Sequence, residues 1–128
     1  MKKKLFLMCL VGFLTVTSAY AKCDGGTEVK NSVGTVFCQS TKAMNWWSAA
    51  AWCKANELHL ATVYEMCPSW GGRTTGADYC NEKGGLADFV WTATAHSTDE
   101  AVYVGSSGRI YGDHLRNSSG SKAVCISR

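Results

Sequence analysis

Apolar and polar positions divide the 128-residue chain into a leader, a helical stretch and a run of strands. The leader starts with Lys2-Lys3-Lys4, runs apolar from Leu5 to Val16 except at Gly12 and Thr15, and ends in Ala19-Tyr20-Ala21. A basic start, a short apolar run and a small-x-small end are the pattern of a secretory signal peptide over 1–21, cleaved before Lys22. The apolar run is short of the ~20 residues that span a bilayer. No other stretch is long enough, so no membrane span is expected in the mature chain. One domain, 22–128, is expected.

Within that domain, Val29, Val33, Val36 and Phe37 alternate weakly around Asp24-Gly25-Gly26 and Gly34, which predicts an N-terminal hairpin over 22–38. Ala43, Trp46/Trp47, Ala50 and Cys53 recur every three or four residues. They predict a helix over Lys42 to Asn56, with Ser40 or Thr41 as N-cap and Asn56 as the stop. Thr62-Val63-Tyr64-Glu65 fits a capping box opening a short helix that Pro68, the single proline, closes. Residues 68–88, with Gly71-Gly72, Gly76 and Gly84-Gly85, read as a long irregular loop, a length that usually signals function or flexibility. Phe89 to Thr94 alternates as a strand, Ala101 to Val104 and Arg109 to Tyr111 flank a turn at Gly105-Ser106-Ser107-Gly108, and Ala123 to Ile126 closes the chain. Helices first and strands afterwards give an α+β domain.

Charge removes one class of partner. The leader holds three of the 13 basic residues and none of the ten acidic ones, so the formal +3 is a targeting feature and 22–128 is neutral. No Lys/Arg stripe of the kind that binds phosphate backbones is present, so nucleic acid is not an expected partner. Cysteine adds a constraint: apart from Cys9 in the leader, six remain, Cys23, Cys38, Cys53, Cys67, Cys80 and Cys125. An even number in a small exported chain implies three disulfides, for which six cysteines allow 15 pairings. No two are close enough for a CxxC redox or zinc pair.

The order of these segments resembles a C-type lectin-like domain. Phe37-Cys38 resembles the opening strand, and Trp47-Ser48-Ala49-Ala50-Ala51-Trp52-Cys53 the first helix of that family. Leu58-His59-Leu60-Ala61-Thr62-Val63 through Glu65 is similar to its Leu-Ala-x-Ile … Glu stretch. Phe89-Val90-Trp91-Thr92 stands where the family has Trp-Ile-Gly, and Val124-Cys125-Ile126 resembles the closing strand. The match spans roughly 36–126. It implies two helices flanking antiparallel sheets, a Cys53–Cys125 bond, a hairpin closed by Cys23–Cys38 as in the family's long form, and Cys67–Cys80 as the remaining pair. The family's calcium-dependent sugar site uses Glu-Pro-Asn or Gln-Pro-Asp followed by Trp-Asn-Asp, and this chain has neither. Calcium takes about 6–8 oxygen ligands, whereas 95–101 offers only Asp99-Glu100. The resemblance therefore implies a calcium-independent ligand-binding module without a metal or cofactor.

Catalytic chemistry finds little support. Six paired cysteines leave no thiol for a Cys-His site, and no Gly-x-Ser-x-Gly elbow exists. Glu57 and Glu65 read as a solvated residue and a capping residue rather than an acid/base pair, so no enzyme is expected. His59, His96 and His114 lack metal-site spacing, and His59 is expected to face solvent on a short strand. Trp47, Trp52 and Trp91 are expected in the core. Trp70 has no evident core position, and an aromatic ring on a loop can stack on a sugar or a peptide side chain. The candidate ligand-binding residues are thus Trp70, Arg73, Asp78 and Tyr79 in the 68–88 loop. Arg109, Tyr111 and Arg116 form a second surface whose relation to the first the sequence leaves open. Asn117-Ser118-Ser119 is a glycosylation sequon, meaningful only in a eukaryotic secretory pathway. The expected protein is a secreted, periplasmic or cell-surface binding module for a glycan or protein ligand. The alternative is a structural or adhesin-type domain docking to another cell-envelope protein.

Overall fold

The computed structural model describes residues 23–127; the leader and its cleavage point lie outside them. The N-terminal hairpin forms from β1 (Gly26–Lys30) and β2 (Val36–Met44), paired antiparallel from Gly26↔Ser40 to Lys30↔Val36. Strand β2 runs further than its own sequence predicts. The expected helix from Lys42 begins only at Trp46, as α1 (Trp46–Ala55), capped by Asn45 and not by Ser40 or Thr41. The reason is tertiary. Ala43 and Met44 pair with Lys122 and Ser121 of the last strand, and the Ser40 hydroxyl accepts the Ala123 amide at 2.9 Å. These bonds hold 40–44 extended until the Asn45 carboxamide accepts the Ser48 amide at 2.8 Å. The helix ends at Asn56, as its sequence indicates.

After β3 (His59–Leu60), Thr62 and Glu65 form the reciprocal capping box at the start of α2 (Val63–Met66). Then follow β4 (Thr75–Tyr79), β5 (Val90–Ala95), β6 (Glu100–Val104), β7 (Arg109–Leu115) and β8 (Ser121–Ile126). The strands form one sheet in the order β1-β2-β8-β5-β6-β7-β4, with β3 beside β8. Every pairing is antiparallel except that of β5 with β8. Among the described residues the result is a small α+β domain with two α-helices, one mostly antiparallel sheet and three disulfides.

Alternation along the strands sends side chains into two cores, one on each face. Phe37, Val90, Val102, Val104, Ile110 and Val124 meet Val63 and Met66 of α2. Cys38, Trp91, Ala101, Ala123 and Cys125 meet Ala49 and Cys53 of α1. The bonds Cys23–Cys38, Cys53–Cys125 and Cys67–Cys80 are all present. Together with the lack of any helix among the described residues long and apolar enough to cross a membrane, they are compatible with an extracellular or secreted protein.

Three expectations fail here. The 68–88 stretch is not wholly irregular: β4 lies inside it, because Thr75 and Tyr79 find partners in Tyr111 and Arg109. Of the tryptophans expected in the core, Trp91 is fully buried and Trp52 half-buried, but Trp47 is 56% exposed. Trp46 turns inward in its place, and its indole N–H donates to the Thr92 carbonyl at 2.9 Å. Trp70 has a core role after all. It packs on the cluster beneath α2, its ring lies 4.8 Å from that of Tyr64, and its N–H donates to the Arg73 carbonyl. Trp70→Ala is expected to lower stability by about 2 kcal/mol, less than the 3–5 kcal/mol of a fully buried aromatic because the ring is only half-covered. Thermal denaturation checks this; an unchanged melting temperature would return Trp70 to the free surface.

Candidate functional site

Helix α1 lies over β8, β3 and β5. On the same side, the sheet beyond it carries a row of partly exposed aromatic rings. Tyr103 of β6 stacks on Tyr111 of β7, with centroids 5.5 Å apart, and on Phe89, just before β5, at 6.5 Å. The interplanar angles, 25° and 17°, leave the rings nearly parallel, stacked along the row. Arg109 continues it, its guanidinium 4.7 Å from the centre of the Tyr79 ring on β4. Phe89 is 44% and Tyr79 40% exposed.

Two local features build this row. Ala101 pairs with His114 and Tyr103 with Tyr111, so β7 holds one residue more than β6 between the same pairs. Such a bulge breaks the two-residue alternation and brings His114 to the face that Tyr111 occupies. There the imidazole stacks on Tyr103 at 4.1 Å and on Trp91 at 4.9 Å. The second feature is Phe89 itself, whose φ of +61° is a conformation that bulky side chains rarely adopt. Such strain costs on the order of 1–3 kcal/mol and tends to occur at functional sites. Gly76, at φ +87°, completes the surround: a Cβ there would lie 2.5 Å from the Tyr111 ring.

Electrostatics distinguish the groups along the row. Burial holds the His114 imidazole below its usual pKa, partly opposed by Asp113. Burial, with Asp113 and Tyr111, raises the Tyr103 phenol. A histidine with a depressed native pKa stabilises the fold above its unfolded value of 6.5, and that contribution is lost as pH falls below it. The wild-type melting temperature is therefore expected to drop between pH 7.5 and 5.5, and His114→Gln to show a smaller drop. Equal drops in both proteins would remove His114 from the account.

The candidate residues named from sequence divide three ways. Tyr79, Arg109 and Tyr111 lie in the aromatic row, so the two surfaces do adjoin, joined by the pairing of β4 with β7. Arg73 and Asp78 lie at the sheet edge by a groove of about 290 Å³ and bind each other. The Arg73 Nε–H donates to Asp78 at 2.7 Å, and the Arg73 amide donates to the other carboxylate oxygen at 2.9 Å. The Arg73 amide, then its guanidinium, lowers the Asp78 pKa. Trp70 covers the core beside them. Arg116 stands apart, beyond the C-terminal end of β7 and about 20 Å along the strand from Arg109. Its guanidinium lies 4.3 Å from the Trp46 ring centre.

Sequence reasoning placed His114 beside Arg109 and Tyr111 on the strand that the family resemblance turns toward a ligand, but did not find Phe89 or Tyr103 as parts of this surface. Their only signal is membership of the strands at Phe89 to Thr94 and Ala101 to Val104, which does not say which face stays uncovered. Among the described residues, no group of three or more His, Cys, Asp or Glu side chains is placed to hold a metal ion. Glu65 accepts the Thr62 amide in the capping box. No protein-family model, curated protein or solved structure matches this chain.

Proposed function

We propose that this chain is an exported C-type lectin-like module, without enzymatic activity, that binds a glycan or protein ligand independently of calcium. The ligand lies across the uncovered aromatic row. The observation that carries this reading is the stacked, partly exposed series Phe89–Tyr103–Tyr111, extended by Arg109 over Tyr79 and spanning the β5 end to β4. Rings already stacked on one another lose little freedom on binding, so apolar contact with them is gained at low entropic cost. Tyr and Arg are also the residue types that dominate binding hot spots. The family part of the reading is supported by the Cys53 link from α1 to the last strand and by the Cys23–Cys38 hairpin. Calcium independence follows from the missing Glu-Pro-Asn and Trp-Asn-Asp sets.

A combined glycan and peptide array, probed with oxidised protein in calcium and in chelator, tests the proposal. The expected result is the same set of hits in both buffers. Hits seen only with calcium overturn the calcium-free reading. A blank array, with a single envelope protein captured by crosslinking, supports the structural or adhesin-type alternative.

A further inference from the structure

A second groove, of about 310 Å³, opens at the C-terminal end of β7 and is lined by Trp47, Asp99, Leu115, Arg116 and Asn117. Its volume lies at the small end of ligand sites. The chain is tied together around it. The Trp46 amide donates to the Arg116 carbonyl at 2.9 Å, and the Arg116 amide to the Asp99 carbonyl at 2.9 Å. The side chains are less satisfied. The Arg116 guanidinium lies against Trp46 and 5.5 Å from the Trp47 ring centre, so its hydrogen bonds must be made at its edge. There Nε is buried without an acceptor, and the one bond from a terminal nitrogen, to the Ser97 carbonyl, is 3.3 Å, longer than the usual range. Asp99 is exposed, and its carboxylate makes no ion pair among the described residues. One groove thus holds a cation and an anion that do not neutralise each other.

This arrangement selects by charge. A simple anion suits Arg116 and is repelled by Asp99; a simple cation meets the reverse. A neutral hydroxylic ligand meets both only through weaker, uncharged hydrogen bonds. We infer that the groove takes a zwitterion, a free α-amino acid with an apolar side chain. The carboxylate meets the terminal guanidinium nitrogens of Arg116, whose one bond, to the Ser97 carbonyl, is long; Nε stays buried behind them. The ammonium lies between Asp99 and the exposed face of Trp47, where cation–π attraction adds to the ion pair. The side chain packs on Leu115, which is 52% exposed. The inference does not depend on the stacked rings of Phe89, Tyr103 and Tyr111, none of which lines this groove.

The test uses leucine, N-acetyl-leucine and leucinamide, added to isotopically labelled oxidised protein while the Trp47 indole N–H and Asn117 amide resonances are followed. Leucine is expected to give saturable shifts, and each blocked analogue to bind at least fivefold more weakly. Asp99→Asn is expected to abolish the preference for leucine over N-acetyl-leucine. Trp47→Ala, at an exposed position that leaves the fold intact, is expected to weaken leucine at least fivefold, and Phe89→Ala to leave it unchanged. No saturable shift with leucine, a loss below fivefold for either analogue, or equal competition by a methyl hexopyranoside overturns the inference. Loss of leucine binding in Phe89→Ala with retention in Trp47→Ala would move the site to the aromatic row.

Discussion

Replacing Cys53 and Cys125 together by alanine is expected to lower stability by about 4 kcal/mol, the largest loss among the three disulfides. The bond spans 72 residues of sequence, against 15 for Cys23–Cys38 and 13 for Cys67–Cys80. In the chain-entropy account the benefit rises with the logarithm of loop length, so each shorter bond is worth about 3 kcal/mol. Both Cys53 and Cys125 are fully buried between α1 and the sheet, so their loss also loosens helix packing. A small domain has only about 5–15 kcal/mol in total, and the double variant is expected to be partly unfolded at 37 °C. Urea denaturation of the three double variants checks the order. A larger loss on removing Cys67–Cys80 would mean that the loop base, not the α1–β8 link, holds the domain together.

Trp91→Ala carries the second large expected loss, about 4 kcal/mol. The ring is fully buried and its N–H donates to the Met44 carbonyl at 2.7 Å, joining β5 to the end of β2. Truncation leaves a cavity under α1 and takes the donor from that part-buried carbonyl, which costs about 1 kcal/mol by itself. It also removes the surface on which His114 and Tyr103 pack, so the aromatic row loses its backing. Trp91→Phe is expected to lose less, because the ring volume is largely kept and only the hydrogen bond goes. Chemical denaturation of both variants separates packing from hydrogen bonding. Equal losses would show that the bond to Met44 dominates.

The frame of the fold was legible because local signals and tertiary packing agree there. The Thr62–Glu65 capping box, the Asn56 helix stop and the alternation of β5, β6 and β8 each act within a few residues. The cysteine pairs, implied by the family resemblance, are those the structure contains. What could not be read depends on distant partners. Residues 42–44 look helical until β8 pairs with them, and β4 looks like loop because glycine at 76 is needed for the neighbouring Tyr111 ring rather than for a turn. Trp46 and Trp47 are adjacent and equally apolar, so only the packing of α1 decides which one faces out. The candidate site was half legible for the same reason. Tyr79, Arg109, Tyr111 and His114 were visible as residue types, whereas bringing His114 to the face of Tyr111 takes a bulge that alternation cannot encode, and Tyr103 joins them through its pairing across to Tyr111.

The most direct measurement is the affinity of the strongest array ligand for wild-type protein, Phe89→Ala and Tyr111→Ala, with melting temperatures recorded beside each. Phe89→Ala is expected to weaken binding by more than about 1 kcal/mol, the usual threshold for a contact that matters, while the protein stays folded because the ring is partly exposed. Tyr111→Ala is expected to weaken binding as much, with some loss of stability from its half-buried ring. Unchanged affinity in both variants, with the fold intact, would contradict the assignment of the aromatic row as the ligand-binding surface.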